Sequence, residues 1–480
     1  MRKTNDFKTL CLFISVIGAV ILVLLYSYTT SPFYHWTNFD SSVYRVMGWL
    51  TSEGGVPYKD MFDHKGPFFV LVETVGHQIN KSFGITVIQI ITWFFTFWGT
   101  VKILSIFFDS KRIIFVQILS IGIYIFLYYL SGGNYVEEYC LPFIVWSYVF
   151  LVKYLVCYKT YTDHNPKYAL FYGISFTVCA FTKLSNAIPL CATVLVVICV
   201  LIANKRWKNL LKNALMFLLG IIIFALPFVI WFAAKGALWD MIYASFVFNF
   251  KYMGYYHPKI DQAVLIKSVL RYLSLFIISL ILLWFNKKNK SLNIAISLQL
   301  LTGIIFFFSG AKFLHYLIIW IPSIIIAVCI GWTSGDFKKV CNILVCVISI
   351  YVFLMIGISV NDCHKVYISD RTPKFEKEID KVISRIPIED RNSVVALNTS
   401  AHIYFYGKIK PIFKHFVLQD FHSNIDKKIE DYCVKALSNK KAKYIIVEKI
   451  DNKKMKKIVQ SKYESIIRTR TLKLFKAKGK

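Results

Sequence analysis

Long apolar runs recur from one end of the chain to residue 360, and no other feature constrains the fold as strongly. Hydropathy marks about eleven spans, near residues 9–28, 85–108, 113–130, 140–157, 168–182, 185–203, 213–234, 264–285, 292–309, 313–331 and 340–360. At about 1.5 Å of rise per residue, most are long enough to carry a helix across roughly 30 Å of hydrocarbon. With 56% hydrophobic and 17% aromatic residues among 480, the chain reads as an α-helical polytopic membrane protein. The opening run follows the basic segment MRKTNDFK and lacks a small-residue cleavage pattern before Ser27, so it is expected to be the first transmembrane helix.

The formal charge of +30 is not a nucleic-acid signature. Residues 364–480 hold 28 Lys and Arg against 13 Asp and Glu, half of the excess, in what reads as a small soluble α/β domain. SVVALNT (393–399) and AKYIIVEKI (442–450) have strand character, and IDKKIEDYCVKALSNKK (425–441) has helical spacing between them. The expected division is a membrane domain over 1–360, with a first outer loop at 29–84, and an extracytoplasmic domain over 361–480. Much of the remaining charge lies in alternate short loops, Asp109–Arg112, 158–167, 204–213, 286–290 and 335–339, which the positive-inside tendency puts in the cytoplasm. The N-terminus is then cytoplasmic, and an odd number of spans leaves the C-terminal domain outside. The 11 cysteines are scattered, form no C-x-x-C pair and read as small core hydrophobes.

Against that apolar background the segment 34–67 is anomalous. It gathers Asp40, Arg45, Glu53, Lys59, Asp60, Asp63, His64 and Lys65 within 26 positions. Ionisable groups near a bilayer are costly unless hydrated, paired or used, so the cluster is the first candidate for a functional site. Asp40 has the spacing of a helix N-cap and equally that of a general base for an acceptor hydroxyl. Tyr58, Asp60, Asp63, His64 and Lys65 crowd between Pro57 and Pro67, with Asp60 and Asp63 expected to face one another. A phosphate there would be met by Lys65 directly, or through a divalent cation on Asp63 and His64. Two more segments are predicted on the same side: one with Glu137 and Glu138, the other with Lys312, His315 and Tyr316. Lys183 and Lys251 are expected to snorkel to that surface.

The pattern Asp-x-x-x-Tyr followed by Gly-x-x-Pro-Tyr-x-Asp-x-x-Asp-His-Lys-Gly-Pro, here Asp40, Tyr44 and residues 55–67, resembles the GT-C superfamily of polyprenyl-phosphate-sugar-dependent glycosyltransferases. The branch it resembles contains the protein O-mannosyltransferases, the lipid A aminoarabinose transferase and bacterial proteins of the cell envelope. Asp-His-Lys-Gly-Pro is the most specific element of a similarity over roughly residues 8–360. The resemblance implies a GT-C membrane domain and an inverting transfer of a hexosyl or pentosyl group. The donor is a polyprenyl phosphate and the acceptor a cell-envelope polysaccharide, teichoic acid or lipid. It casts Asp40 as base, Lys65 as the phosphate-contacting lysine, Asp63 or His64 as the acidic or metal position, and Glu137 or Glu138 as the second acidic position. Asp40-Ser41 replaces the paired Asp-Glu of the mannosyltransferases, which argues against a protein acceptor. A lipid-linked saccharide flippase or a non-catalytic envelope scaffold is the alternative; the absence of an inverted repeat weighs against transport.

Overall fold

The computed structural model describes residues 2–35, 37–128, 132–157, 163–255, 262, 266, 269–286, 289–309, 313–333, 338–368 and 372–479. Its first helices are α1 (Arg2–Tyr26), α2 (Phe39–Ser52), α3 (Pro67–Ile79), α4 (Gly84–Phe107) and α5 (Ser110–Tyr128). Each of the eleven predicted spans falls on helix, and eight helices among the described residues are long and apolar enough to cross a membrane. The chain is a multi-pass, predominantly helical membrane protein. The predicted spans at 113–130, 168–182 and 264–285 fall on α5, Pro166–Ala180 and Ser274–Trp284, the last being a shorter apolar helix.

By contacts the chain divides into two compact units. The first comprises Met1–Ser27, Thr86–Ile230 and His257–Lys365, and is the helical bundle. Its helices meet through small residues and buried amides. A Cβ on Gly173 would lie 2.0 Å from the Phe217 carbonyl, and one on Gly220 2.2 Å from that of Leu170, so only glycine allows these two backbones to approach so closely. Gln117 ties α5 to α1 by donating from Nε2 to Cys11 O and Ser15 Oγ, both at 3.0 Å.

The second unit comprises Tyr28–Ile85, Trp231–Tyr256 and Val366–Lys480. The segment 28–85 therefore packs as one body with the C-terminal residues. A four-stranded sheet forms its base: β1 (Val394–Leu397), β2 (Tyr444–Val447), β3 (Tyr463–Arg468) and β4 (Lys473–Ala477), in the order β1-β2-β4-β3. β1 and β2 pair in parallel with Val394 opposite Tyr444, whereas β4 is antiparallel to both β2 and β3. Every residue of β1 and β2 is buried, as expected of strands covered on both faces.

Candidate functional site

In the second unit, α2 begins where Asn38 supplies the cap, its Oδ1 accepting from Ser41 N at 2.7 Å. Asp40 is thus not the cap. It sits exposed in the first turn of the helix, and among the described residues its carboxylate has no hydrogen-bond or ion-pair partner. One turn on, Tyr44 is buried edge-on to Phe69, with ring centroids 4.6 Å apart. Spacing of i, i+4 puts Asp40 and Tyr44 on one helix face. Lys65 Nζ, largely buried, lies 5.5 Å from the Tyr44 ring centroid, and Tyr44 is one helix turn along α2 from the exposed Asp40.

The loop carrying Lys65 is built for rigidity. Tyr58 adopts a left-handed conformation, φ 67°, donates from its backbone N to Met61 O at 2.7 Å, and donates from its hydroxyl to Lys65 O at 2.7 Å. Burial pushes its phenol well above the ordinary value, so it stays a donor. Asp60 is exposed and its Oδ2 accepts from Val56 N at 2.8 Å, closing the turn. Asp63, by contrast, is buried and lies beside His64. Lys65 Nζ is 3.0 Å from His64 Nε2. An ammonium only donates, so Nε2 accepts and the ring proton resides on Nδ1, 3.4 Å from Asp63 Oδ1. Asn249 Nδ2 holds the His64 carbonyl at 2.8 Å, and Tyr252 stacks on the ring at 5.3 Å.

This arrangement leaves little for a divalent cation. His64 has committed its lone pair to an ammonium, and among the described residues no group of three or more His, Cys, Asp or Glu side chains could hold a metal. A divalent cation on Asp63 and His64 would have to displace the Lys65 ammonium from His64 Nε2.

In the first unit, Glu137 and Glu138 are both fully buried. Glu138 Oε1 accepts from Gln89 Nε2 at 2.7 Å and Oε2 from Trp93 Nε1 at 3.1 Å, which gives both oxygens donors from α4. Glu137 lies 3.5 Å from Lys183 Nζ, and that ammonium sits 3.4 Å from the Tyr316 ring centroid. Lys183 therefore does not snorkel; it is paired twice. His315 stacks on Tyr135 at 4.7 Å and 6°. Lys312 lies outside the described residues.

Several residues of the second unit escaped the sequence reading. Lys251 Nζ, predicted to snorkel, pairs with Asp426 at 2.5 Å, and Tyr243 donates to the same carboxylate. Phe62, next to Asp63, donates from its backbone N to Lys414 O at 2.8 Å, and its ring lies 4.7 Å from His415 and 5.5 Å from His422. Glu376 bridges His35, at 2.7 Å, and His402, at 2.8 Å. Isolated histidines and a carboxylate spread over hundreds of residues carry no spacing that would reveal these contacts.

Residues 3–341 match the family described as "Putative competence-induced protein Ccs4 N-terminal domain". No curated protein matches the chain. Among solved structures, ArnT from Cupriavidus metallidurans bound to undecaprenyl phosphate aligns over 97% of this chain and 97% of its own, with a TM-score of 0.62 and 10% identity. The apo state of that protein aligns over 98% of each chain with the same score and identity. The Archaeoglobus fulgidus oligosaccharyltransferase, tethered to an acceptor peptide containing the NVT sequon, aligns over 92% of this chain and 68% of its own, with a TM-score of 0.52 and 11% identity. The fold is of the GT-C type, as the resemblance of the first loop implies.

Proposed function

We propose, from the premise that the chain belongs to the Ccs4 N-terminal domain family and has a GT-C fold, that it is a membrane glycosyltransferase. Its donor is a sugar on a polyprenyl phosphate, and its acceptor a hydroxyl of a cell-envelope polysaccharide, teichoic acid or lipid on the outer face. The observation behind this reading is that Tyr44 has Lys65, a largely buried ammonium, 5.5 Å from its ring and Asp40, exposed and without a partner among the described residues, one helix turn before it on α2.

The chemistry asks for both charges. The acceptor oxygen attacks the anomeric carbon while the carbon–oxygen bond to phosphate breaks, inverting that centre. Asp40 takes the proton from the attacking hydroxyl, and Lys65 meets the charge that gathers on the departing phosphate. His64 and Asp63 fix the lysine's direction. In the first unit Lys183, held over Tyr316, is the corresponding candidate for a phosphate contact, and His315 for packing against the sugar or lipid. No step requires a metal.

Incubation of the purified chain with a panel of polyprenyl-phosphate sugars and wall-polymer fragments, read by mass spectrometry for new glycoside, tests the reading. Asp40→Asn is expected to lower product formation by roughly 10²–10⁴ while retaining donor binding, the usual scale of a lost general base. Undiminished turnover by Asp40→Asn would remove Asp40 from the mechanism. Donor movement across a bilayer without new glycoside would favour a flippase.

A further inference from the structure

Within the first unit a groove of about 650 Å³ runs between α1 and α4, with Ile113 of α5 at its edge. Its lining is sorted by depth. On α4, Trp98, Val101, Lys102 and Ser105 are spaced i, i+3, i+4, i+7 and form one stripe. Ser105 and Lys102 lie toward the helix end at Phe107, and Trp98 lies about 10 Å deeper at 1.5 Å per residue. On α1 the order matches: Lys8 and Thr9 are near the start, and Leu12 is deeper. The mouth therefore carries two ammonium groups and two hydroxyls beside Phe7, the interior is apolar, and among the described residues no carboxylate lines it. Lys102 Nζ is held 5.6 Å from the Trp98 ring centroid, while Lys111 and Arg112 immediately precede Ile113.

This groove is separate from the buried acidic cluster of the same unit. It opens at the start of α5, whereas Glu137 and Lys183 belong to the segments beyond the other end of that 19-residue helix, about 28 Å away along its axis. A cationic mouth over an apolar slot fits an amphiphile with an anionic head. A choline headgroup would bring a positive charge against two ammonium groups, whereas a phosphodiester with an uncharged glycerol would not. We propose that the groove binds an anionic glycerophospholipid, its phosphate between Lys8 and Lys102 and an acyl chain along Leu12, Trp98 and Val101.

The test uses the full chain in nanodiscs of phosphatidylcholine, titrated with brominated-tail phosphatidylglycerol or brominated-tail phosphatidylcholine. The Trp98 contribution to fluorescence is taken as the difference from Trp98→Phe. Brominated phosphatidylglycerol is expected to quench it at roughly one tenth of the mole fraction that the brominated choline lipid requires, since each lysine near such a surface favours an anionic lipid several-fold. The double variant Lys8→Gln/Lys102→Gln, at two accessible positions, is expected to bring the two curves together. Native mass spectrometry supplies a second readout independent of Trp98: the double variant should retain one phosphatidylglycerol fewer than wild type. Coincident curves in wild type would overturn the proposal, as would a preference that survives the double variant. Displacement of phosphatidylglycerol by undecaprenyl phosphate at lower mole fraction would overturn it in favour of a substrate site.

Discussion

Asp40 and Glu138 are both carboxylates that the sequence offers as catalytic, and their surroundings differ as much as two carboxylates can. Asp40 is exposed and has no partner among the described residues, so Asp40→Asn should leave thermal stability within about 0.5 kcal/mol, the usual range for a surface change. Glu138 is fully buried and accepts from Gln89 and Trp93. Glu138→Ala strands two buried donors at about 1–3 kcal/mol each and should cost several kcal/mol in thermal or denaturant unfolding. Equal stability of the two variants would show that Gln89 and Trp93 find other acceptors. His415 and His422 permit a pH prediction. Burial holds them neutral, lowered to about 3 and about 4, with the neighbouring Lys414 acting in the same sense on His415 and Lys65 on His422; Asp426 and Asp63 oppose. The unfolded chain, with ordinary values near 6.5, binds more protons, so the second unit should be fully stable above about pH 6.5 and lose stability as pH falls toward 4. Each histidine contributes at most about 1.4 kcal/mol per pH unit over that window. Replacing both by glutamine should flatten the melting temperature between pH 7 and pH 5, measured by differential scanning fluorimetry.

At the scale of elements, the helix that carries Asp40 is held by residues more than 300 positions away in the chain. Thr37 N donates to Thr372 Oγ1 at 3.2 Å, the Ser42 and Ser400 hydroxyls meet at 3.2 Å, and Arg45 lies 5.0 Å from the Phe405 ring centroid. Glu376 completes this brace through His35 and His402. Burial lowers the His402 pKa while Glu376 pulls it back up, so around neutral pH a neutral His402 donates from Nε2 to the carboxylate. Glu376→Ala should speed amide exchange at residues 37–45, measured by hydrogen–deuterium exchange, while exchange in β1 and β2 stays slow. Turnover should fall with little change in KM. Faster exchange without lost turnover would make the brace purely structural. The apolar runs and the Asp-His-Lys loop were legible in the sequence because each signal is local: about 18 residues of hydropathy, or the nine residues between Pro57 and Pro67. The partners Glu376, His402, Lys414 and Asp426 were not, because long-range pairing leaves no period or spacing. The cap was misread by two residues, since Asn38 and Asp40 both have the chemistry and only the backbone decides which precedes the first turn.

The composition of the second unit limits how the whole chain can thread a bilayer. Tyr28–Ile85, Trp231–Tyr256 and Val366–Lys480 pack as one body, and such a body has to lie on one side of the membrane, so each intervening stretch crosses an even number of times. Four candidate spans lie between Gly84 and Ala234, which satisfies this, but only three lie between Lys290 and Ile358. An even number there calls for a further crossing, and among the described residues the apolar helix Ser274–Trp284, too short to qualify by length, with the preceding π-helical turn Val269–Leu273, is the candidate for it. Crossings by α5 and by Pro166–Ala180, taken together, leave the parity unchanged. An odd number of crossings separates the first outer loop from the basic residues before Trp207, and if the positive-inside tendency holds for these, the second unit lies outside. Single cysteines introduced into a cysteine-free background test this directly, at three exposed positions: Lys81→Cys in the first outer loop, Glu448→Cys after β2 and Lys208→Cys at the start of the apolar helix Trp207–Ala234. A membrane-impermeant maleimide applied to intact cells should label the first two and reach the third only after permeabilisation. Labelling of Lys81→Cys without Glu448→Cys would contradict the shared body. Labelling of Lys208→Cys alone would keep the body intact and invert the chain, placing Asp40 and Lys65 on the side where a flipped lipid-phosphate sugar is not presented.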